Sequence, residues 1–244
     1  MIRMAKTIGV IIGYAAIVTP NFKKIERELK QYDDVYTRDV VAFKAPKKWA
    51  HAILKTAGVT VNVTKKEELP KESVLFVCNH EGNFDIPVMI HAIDKPFGFV
   101  SKIEVKKIPF LDKWMGLMNC IYLDRTDRRS SLQMIKDGIN SLKSGHSIMI
   151  FPEGTRSKGQ GMNEFKAGSL KLAKSAQVKI IPVAISGTSN IMEKYNNKKM
   201  VPGEVSVSIL PAIEPEIFKE KSLQEVADYV KALIQDELNM RDEK

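Results

Sequence analysis

The sequence predicts an α/β fold, a central mixed sheet flanked by helices, preceded by two helices of a different texture. Three observations predict it. From Val59 onward, short apolar runs of strand length alternate with stretches of helical period. The 244 residues are 44% hydrophobic and 27% charged, a globular composition long enough to bury a core without staples. The formal charge of +9 is uneven: residues 1–60 hold 11 Lys/Arg against 5 Asp/Glu, residues 61–244 hold 27 against 24.

The basic first quarter contains 16 uncharged residues from Thr7 to Phe22, including Ile8, Val10, Ile11, Ile12 and Ile17. A spanning helix needs about 20 apolar residues, and this run is interrupted by Gly9, Gly13 and Pro20. No small-x-small cleavage site follows Val18, which disfavours a signal peptide. Lys23 to Asp34 is a polar connector or a helix extension in water. Pro46, Trp49, Ala50, Ile53, Leu54 and Ala57 then recur at helical spacing, with Lys44, Lys47, Lys48, His51 and Lys55 on other faces. Such a basic amphipathic helix either packs on a core or lies in a bilayer interface. The uncharged run beside it favours the interface. Residues 1–58 are therefore expected to form a membrane-associating segment touching anionic lipid through Ile8, Ile11, Ile12, Trp49, Ile53, Leu54, Lys47 and Lys48. Residues 59–244 are expected to form the α/β domain.

Within that domain each element has its own signal. Val59, Val61 and Val63 alternate as a half-buried strand, and Val74–Cys78 is a short apolar run, hence a buried strand. Asp85–Ala92 reads as a helix capped by Asp85, with Pro87 in its first turn. Phe97–Ser101 and Cys120–Leu123 read as strands. Leu132, Ile135, Ile139 and Leu142 mark a helix that Gly145 stops. Ser147–Phe151 is a strand and Ser169–Ala176 a short helix. Lys179–Ile185 and Val205–Leu210 are the last strands. Ser222 and Glu225 form a capping box ahead of a final helix.

The chemistry gathers at strand ends, where open α/β sheets bind their ligands. After Val74–Cys78 comes Asn79-His80-Glu81-Gly82-Asn83-Phe84-Asp85. A histidine at a strand end and an aspartate at a helix start can turn toward each other. The carboxylate then fixes one ring nitrogen, and the other takes a proton from a hydroxyl. Taken alone this spacing is common by chance. Phe151-Pro152-Glu153-Gly154-Thr155-Arg156-Ser157 follows another buried strand. Its glycine permits close backbone approach, its threonine and amides donate to anions, and its arginine grips phosphate as a fork. Arg125 and Lys102 are cations at two further strand ends. The set asks for a phosphorylated substrate with a free hydroxyl.

This set resembles the glycerophospholipid acyltransferases, and within them the bacterial 1-acylglycerol-3-phosphate acyltransferases. His80 through Asp85 is similar to the family's His-x4-Asp block, and Tyr122-Leu123-Asp124-Arg125 to its second block. Phe151 to Ser157 matches the Phe-Pro-Glu-Gly-Thr-Arg block, and Ile181-Pro182-Val183-Ala184-Ile185 resembles the fourth. Two of the blocks depart from the family pattern. Asn119, Tyr122 and Leu123 stand where Gly and Phe-Ile are usual, and Gly82 where Ser is frequent.

The resemblance implies transfer of an acyl group from a thioester to the 2-hydroxyl of lysophosphatidate, giving phosphatidate. It implies His80 as general base and Asp85 as the group that holds its ring. Arg156, with Gly154 and Thr155, is the first choice for the substrate phosphate; Arg125 and Lys102 follow. Glu153 is either a substrate ligand or a brace of the turn. No cofactor is expected beyond acyl-CoA or acyl carrier protein as co-substrate, and no metal, because His80, His91 and His146 lack ligand spacing. Two cysteines cannot build a disulfide framework, which favours a reducing compartment. The expected location is the cytoplasmic face of the cell membrane, peripheral or monotopic.

Three other readings remain. Another acceptor, such as glycerol-3-phosphate or a different lysolipid, fits the same blocks. Cys78, two residues before His80, is a rival nucleophile. A non-catalytic basic protein binding membrane or nucleic acid is a third, although no nucleic-acid motif appears.

Overall fold

The computed structural model describes residues 2–18, 21–108 and 111–242. Pro20, counted in the uncharged run, lies outside the described residues. Three helices come first: α1 (Ile2–Val18), α2 (Phe22–Leu29) and α3 (Val35–Ala57). Helix α3 starts well before Pro46. Asp34 caps it, accepting from the N–H groups of Tyr36 and Thr37 at 3.2 and 2.7 Å. Pro46 is carried inside the helix, which ends at Gly58 in the left-handed conformation, φ +71°.

Among the described residues, seven strands form one sheet: β1 (Val59–Lys65), β2 (Leu75–Cys78), β3 (Gly98–Lys102), β4 (Ile121–Leu123), β5 (Ile148–Ile150), β6 (Ile180–Ser186) and β7 (Gly203–Ile209). Their order is β1-β7-β6-β2-β5-β3-β4. The run from β6 to β4 is parallel, and β7 lies antiparallel to β6 with β1 parallel to β7. The sheet is therefore mixed, as the sequence predicts.

Helices cover both faces. Alternation along β2 divides the core: Phe76 and Cys78 face α3 and α4 (Asp85–Ala92). Leu75 and Val77 face α6 (Arg128–Lys143), α7 (Lys171–Ala176) and α9 (Leu223–Asp242). The capping box at α9 forms, with Ser222 N–H on Glu225 at 2.7 Å and Glu225 N–H on Ser222 Oγ at 3.2 Å. Gly145 closes α6 at φ +97°. Helix α5 (Leu111–Leu117), where Leu111, Trp114 and Met115 stand at helical spacing, and a 3-10 turn over Ile103–Lys107 lie outside the elements assigned above. A short helix α8 (Pro215–Phe218) precedes α9.

The N-terminal expectation needs correction. The apolar stripe of α3 faces protein: Ala50, Ile53, Leu54 and Ala57 are 0–3% exposed and pack in the cluster that holds Phe76 and Met89. Ile53 and Leu54 are thus core residues, not lipid contacts. The physical reason is that α3 crosses one face of the sheet, where burial against protein is as favourable as burial in lipid. Trp49 is half-buried under α1, its indole N–H reaching Ile11 O at 3.4 Å. Lys47 pairs with Asp94 at 2.8 Å, while Lys48 is exposed. Helix α1 lies on α3, and Arg3 donates to Ala57 O at 2.9 Å. Its outer side keeps Ile8, Ile11 and Ile12 exposed. No helix among the described residues is long and apolar enough to cross a membrane.

Candidate active site

The carboxyl ends of β6, β2 and β5, neighbours in the sheet, converge on one point. His80 stands two residues past β2, and Asp85 opens α4. The intervening turn brings His80 Nδ1 to 2.6 Å from Asp85 Oδ2. Asp85 was expected to cap α4. Instead its wholly buried carboxylate turns back, and Oδ2 also accepts the N–H groups of Glu81 at 2.7 Å and Gly82 at 3.1 Å. Its other oxygen, Oδ1, accepts the hydroxyl of Thr188, just past β6. An ionised carboxylate is an acceptor only, so Nδ1 carries the shared proton and Nε2 holds the free lone pair. The His80 side chain is 17% exposed, so the ring is sheltered yet not sealed.

Two further contacts fix the imidazole. The ring of Phe151, next after β5, stacks on it at 4.2 Å between centroids. Below it, His80 N–H donates to Glu153 Oε1 at 2.6 Å. The other oxygen of Glu153 accepts the backbone and side-chain N–H groups of Asn163, both at 2.8 Å. Glu153 is 3% exposed, and burial raises its carboxyl above the usual range against these hydrogen bonds. Of its two expected roles the geometry favours the brace, because both oxygens point into the protein.

The Gly-Thr-Arg turn adjoins the His80 turn. Gly154 has φ +70°, a left-handed turn that favours glycine, and the Lys166 ammonium lies close over it, 2.7 Å from where a Cβ would sit. Arg156 donates through one terminal nitrogen to Asn83 Oδ1 and reaches Glu193 Oε1 at 3.3 Å. Backbone bonds stitch the two turns together: Ser157 N–H to His80 O at 2.8 Å, and Lys158 N–H to Glu81 O at 3.0 Å. Thr155 is exposed beside them. Arg125, past β4, reaches across to Gly154 O. Lys102 ends β3 and is exposed; no described side-chain contact joins it to the cluster.

Several neighbours were not anticipated. Thr188 lies three residues past the fourth block. Glu81, inside the first block, accepts Gly187 N–H at 2.9 Å and Ser189 N–H at 3.3 Å, and so draws the turn carrying Thr188 onto Asp85. Burial and the Asp85 charge raise the Glu81 carboxyl. Asn83 lies within the first block. Glu193 and Lys166 have no local signal, since only the packed loops bring them in. Cys78 is wholly buried with Sγ 4.0 Å from Met89 Sδ, and burial pushes its thiol well above the usual range. A thiol so held is a poor nucleophile.

A histidine paired with a carboxylate at one strand end, beside a cationic turn on the next, is an arrangement that can take a proton from a substrate hydroxyl without a nucleophilic side chain. The Acyltransferase family model matches residues 60–186, just over half of the chain, and the chain belongs to that family. Among its curated relatives, the probable 1-acyl-sn-glycerol-3-phosphate acyltransferase of Mycoplasma pneumoniae is 31% identical over 201 residues, 78% of this chain and 75% of the relative. The 1-acyl-sn-glycerol-3-phosphate acyltransferase of Escherichia coli (strain K12) is 31% identical over 167 residues, 68% and 67% of the two chains. The crystal structure of the 1-acyl-sn-glycerophosphate (LPA) acyltransferase of Thermotoga maritima superposes with a TM-score of 0.78 at 23% identity, covering 99% of this chain and 98% of that one. It shares the fold.

Proposed function

We propose that the protein acylates the 2-hydroxyl of 1-acylglycerol-3-phosphate, using a fatty acyl thioester and giving phosphatidate. The observation that carries this reading is the 2.6 Å contact of His80 with Asp85 beside the Arg156 turn. His80 Nε2 takes the hydroxyl proton as the substrate oxygen attacks the thioester carbonyl carbon. Asp85 holds the ring and stabilises the imidazolium that forms. The tetrahedral intermediate collapses, the C–S bond breaks, and His80 returns the proton to the departing thiolate. No acyl-enzyme is formed. Arg156 takes the acceptor phosphate, helped by the backbone of Gly154 and Thr155, with Arg125 and Lys166 adding positive potential nearby.

Acyl-CoA and acyl carrier protein both present the required thioester. The acceptor is a lipid, and the exposed isoleucines of α1 with the basic excess of the first quarter support docking on an anionic membrane surface, at its cytoplasmic face. The test is a donor-by-acceptor assay on the purified full chain in mixed micelles. Both thioesters are offered against 1-acylglycerol-3-phosphate, glycerol 3-phosphate, a lysolipid with a larger headgroup, and monoacylglycerol. Phosphatidate formed preferentially from 1-acylglycerol-3-phosphate is the expected product. Preference for another acceptor would reassign the substrate, and no transfer to any acceptor would remove the reading.

A further inference from the structure

The His80 turn and the Arg156 side chain meet on a residue from a third element. Glu193 opens a 3-10 turn, Glu193–Tyr195, in the loop between β6 and β7. Its side chain is wholly buried. Oε1 accepts Asn83 N–H at 2.8 Å and lies 3.3 Å from a terminal nitrogen of Arg156. Oε2 is buried and has no hydrogen-bond partner among the described residues. It faces Gly82, where a Cβ would come within 2.7 Å of it.

A buried carboxylate is costly unless a cation and donors compensate it. Arg156 is the cation that faces Glu193, and Glu193 in turn restricts where the guanidinium can sit. Asn83 Oδ1 takes the same Arg156 nitrogen. With that nitrogen held from two sides, the remaining N–H donors of the fork are left in a defined direction for an anion. Because Asn83 belongs to the turn between His80 and Asp85, the same carboxylate sets the anion site in register with the base.

We propose that Glu193 is a positioning residue that aims Arg156 at the acceptor phosphate and fixes its distance from His80. It touches neither the substrate nor the reacting atoms. The inference rests on Arg156 being the phosphate ligand, the reading proposed above.

The experiment measures binding of sn-glycerol 3-phosphate, the headgroup alone, to the purified full chain by NMR titration. Wild type is compared with Glu193→Gln, Arg156→Ala and the double variant, with acylation kinetics alongside. Glu193→Gln should weaken headgroup binding about tenfold and raise the acceptor KM by a similar factor, while kcat and the donor KM change little. In the Arg156→Ala background the same substitution should add nothing to the loss of headgroup binding, since the guanidinium it positions is already gone. Activity on monoacylglycerol, which lacks the phosphate, should not respond. Equal losses on both acceptors, or additive effects in the double variant, would reduce Glu193 to a structural prop. Headgroup binding that survives Arg156→Ala would instead remove the phosphate assignment, and this inference with it. If Glu193→Gln does not fold, Glu193→Asp keeps the charge and shortens its reach, and the same comparisons decide.

Discussion

The hydroxyl of Thr188 donates to Asp85 Oδ1, on the side of the carboxylate opposite the oxygen that holds His80. Thr188 is wholly buried, so this hydroxyl has no water to replace it. Thr188→Val keeps the shape and removes the donor. A hydrogen bond to a charged group contributes about 1.5–3 kcal/mol, so kcat should fall about ten- to a hundredfold as Asp85 loses its orientation. Thr188→Ser should recover most of the rate. A full-rate Thr188→Val enzyme in steady-state kinetics would show that Asp85 is held by its other three donors alone.

His80→Ala removes the proposed general base and should cost 10²–10⁴ in kcat. The fold should survive, since the ring is partly exposed and Asp85 keeps its contacts with Thr188, Glu81 and Gly82. Cys78→Ser, by contrast, should retain acyl transfer, although it places a hydroxyl in an apolar core and lowers stability by about 1–3 kcal/mol. Circular dichroism melts beside initial rates check both. Loss of activity in a folded Cys78→Ser enzyme, with His80→Ala active, would exchange the two roles.

Helices α1 and α3 make opposite predictions for the same type of residue. Ile8→Gln with Ile12→Gln alters only exposed surface, so the melting temperature should hold while sedimentation with anionic vesicles drops severalfold. Ile53→Ala empties a site that is 2% exposed and should destabilise the fold by about 2–5 kcal/mol in denaturant titration. Deleting residues 1–58 removes Phe43, Ala50, Ile53, Leu54 and Ala57 from beneath the sheet, so the remainder should aggregate. A soluble, folded remainder would contradict this packing.

Lys95 is 3% exposed, donates to the carbonyls of Pro70 and Lys71 at 2.9 Å each, and lies 4.8 Å from the centre of the Tyr36 ring. Burial pushes its ammonium down from 10.5 to about 8. Between those values the unfolded chain binds the proton and the folded chain does not. Stability relative to Lys95→Met should therefore be flat below pH 8, rise with pH from about 8 to 10.5, and level off above. The gain is about 3 kcal/mol at most. Denaturant titrations of both proteins across that window measure it, and a falling difference would have the sign wrong.

Much of this molecule is local and hence legible in one dimension. Strand runs such as Val74–Cys78 lie wholly inside, and their unbroken hydrophobicity marks them. The capping box at Ser222 and the stop at Gly145 are short-range devices that act within a turn. Residues 80 and 85 are five apart on a strand-to-helix turn, a separation that a single bend closes. The environment of that pair is another matter. Thr188 and Glu193 are more than a hundred residues from His80, and only the placement of β6 beside β2 delivers them.

By itself, then, the chain's order of residues determined the α/β architecture, the strand ends that carry its polar blocks, and the kind of chemistry those blocks support, because each depends on interactions a few residues long. Tertiary structure alone decided which apolar stripe meets the sheet and which stays outward, and what meets the far oxygen of Asp85 and the side chain of Arg156. An amphipathic face records only that it must leave water. Whether protein or lipid receives it depends on what the rest of the fold lays against it.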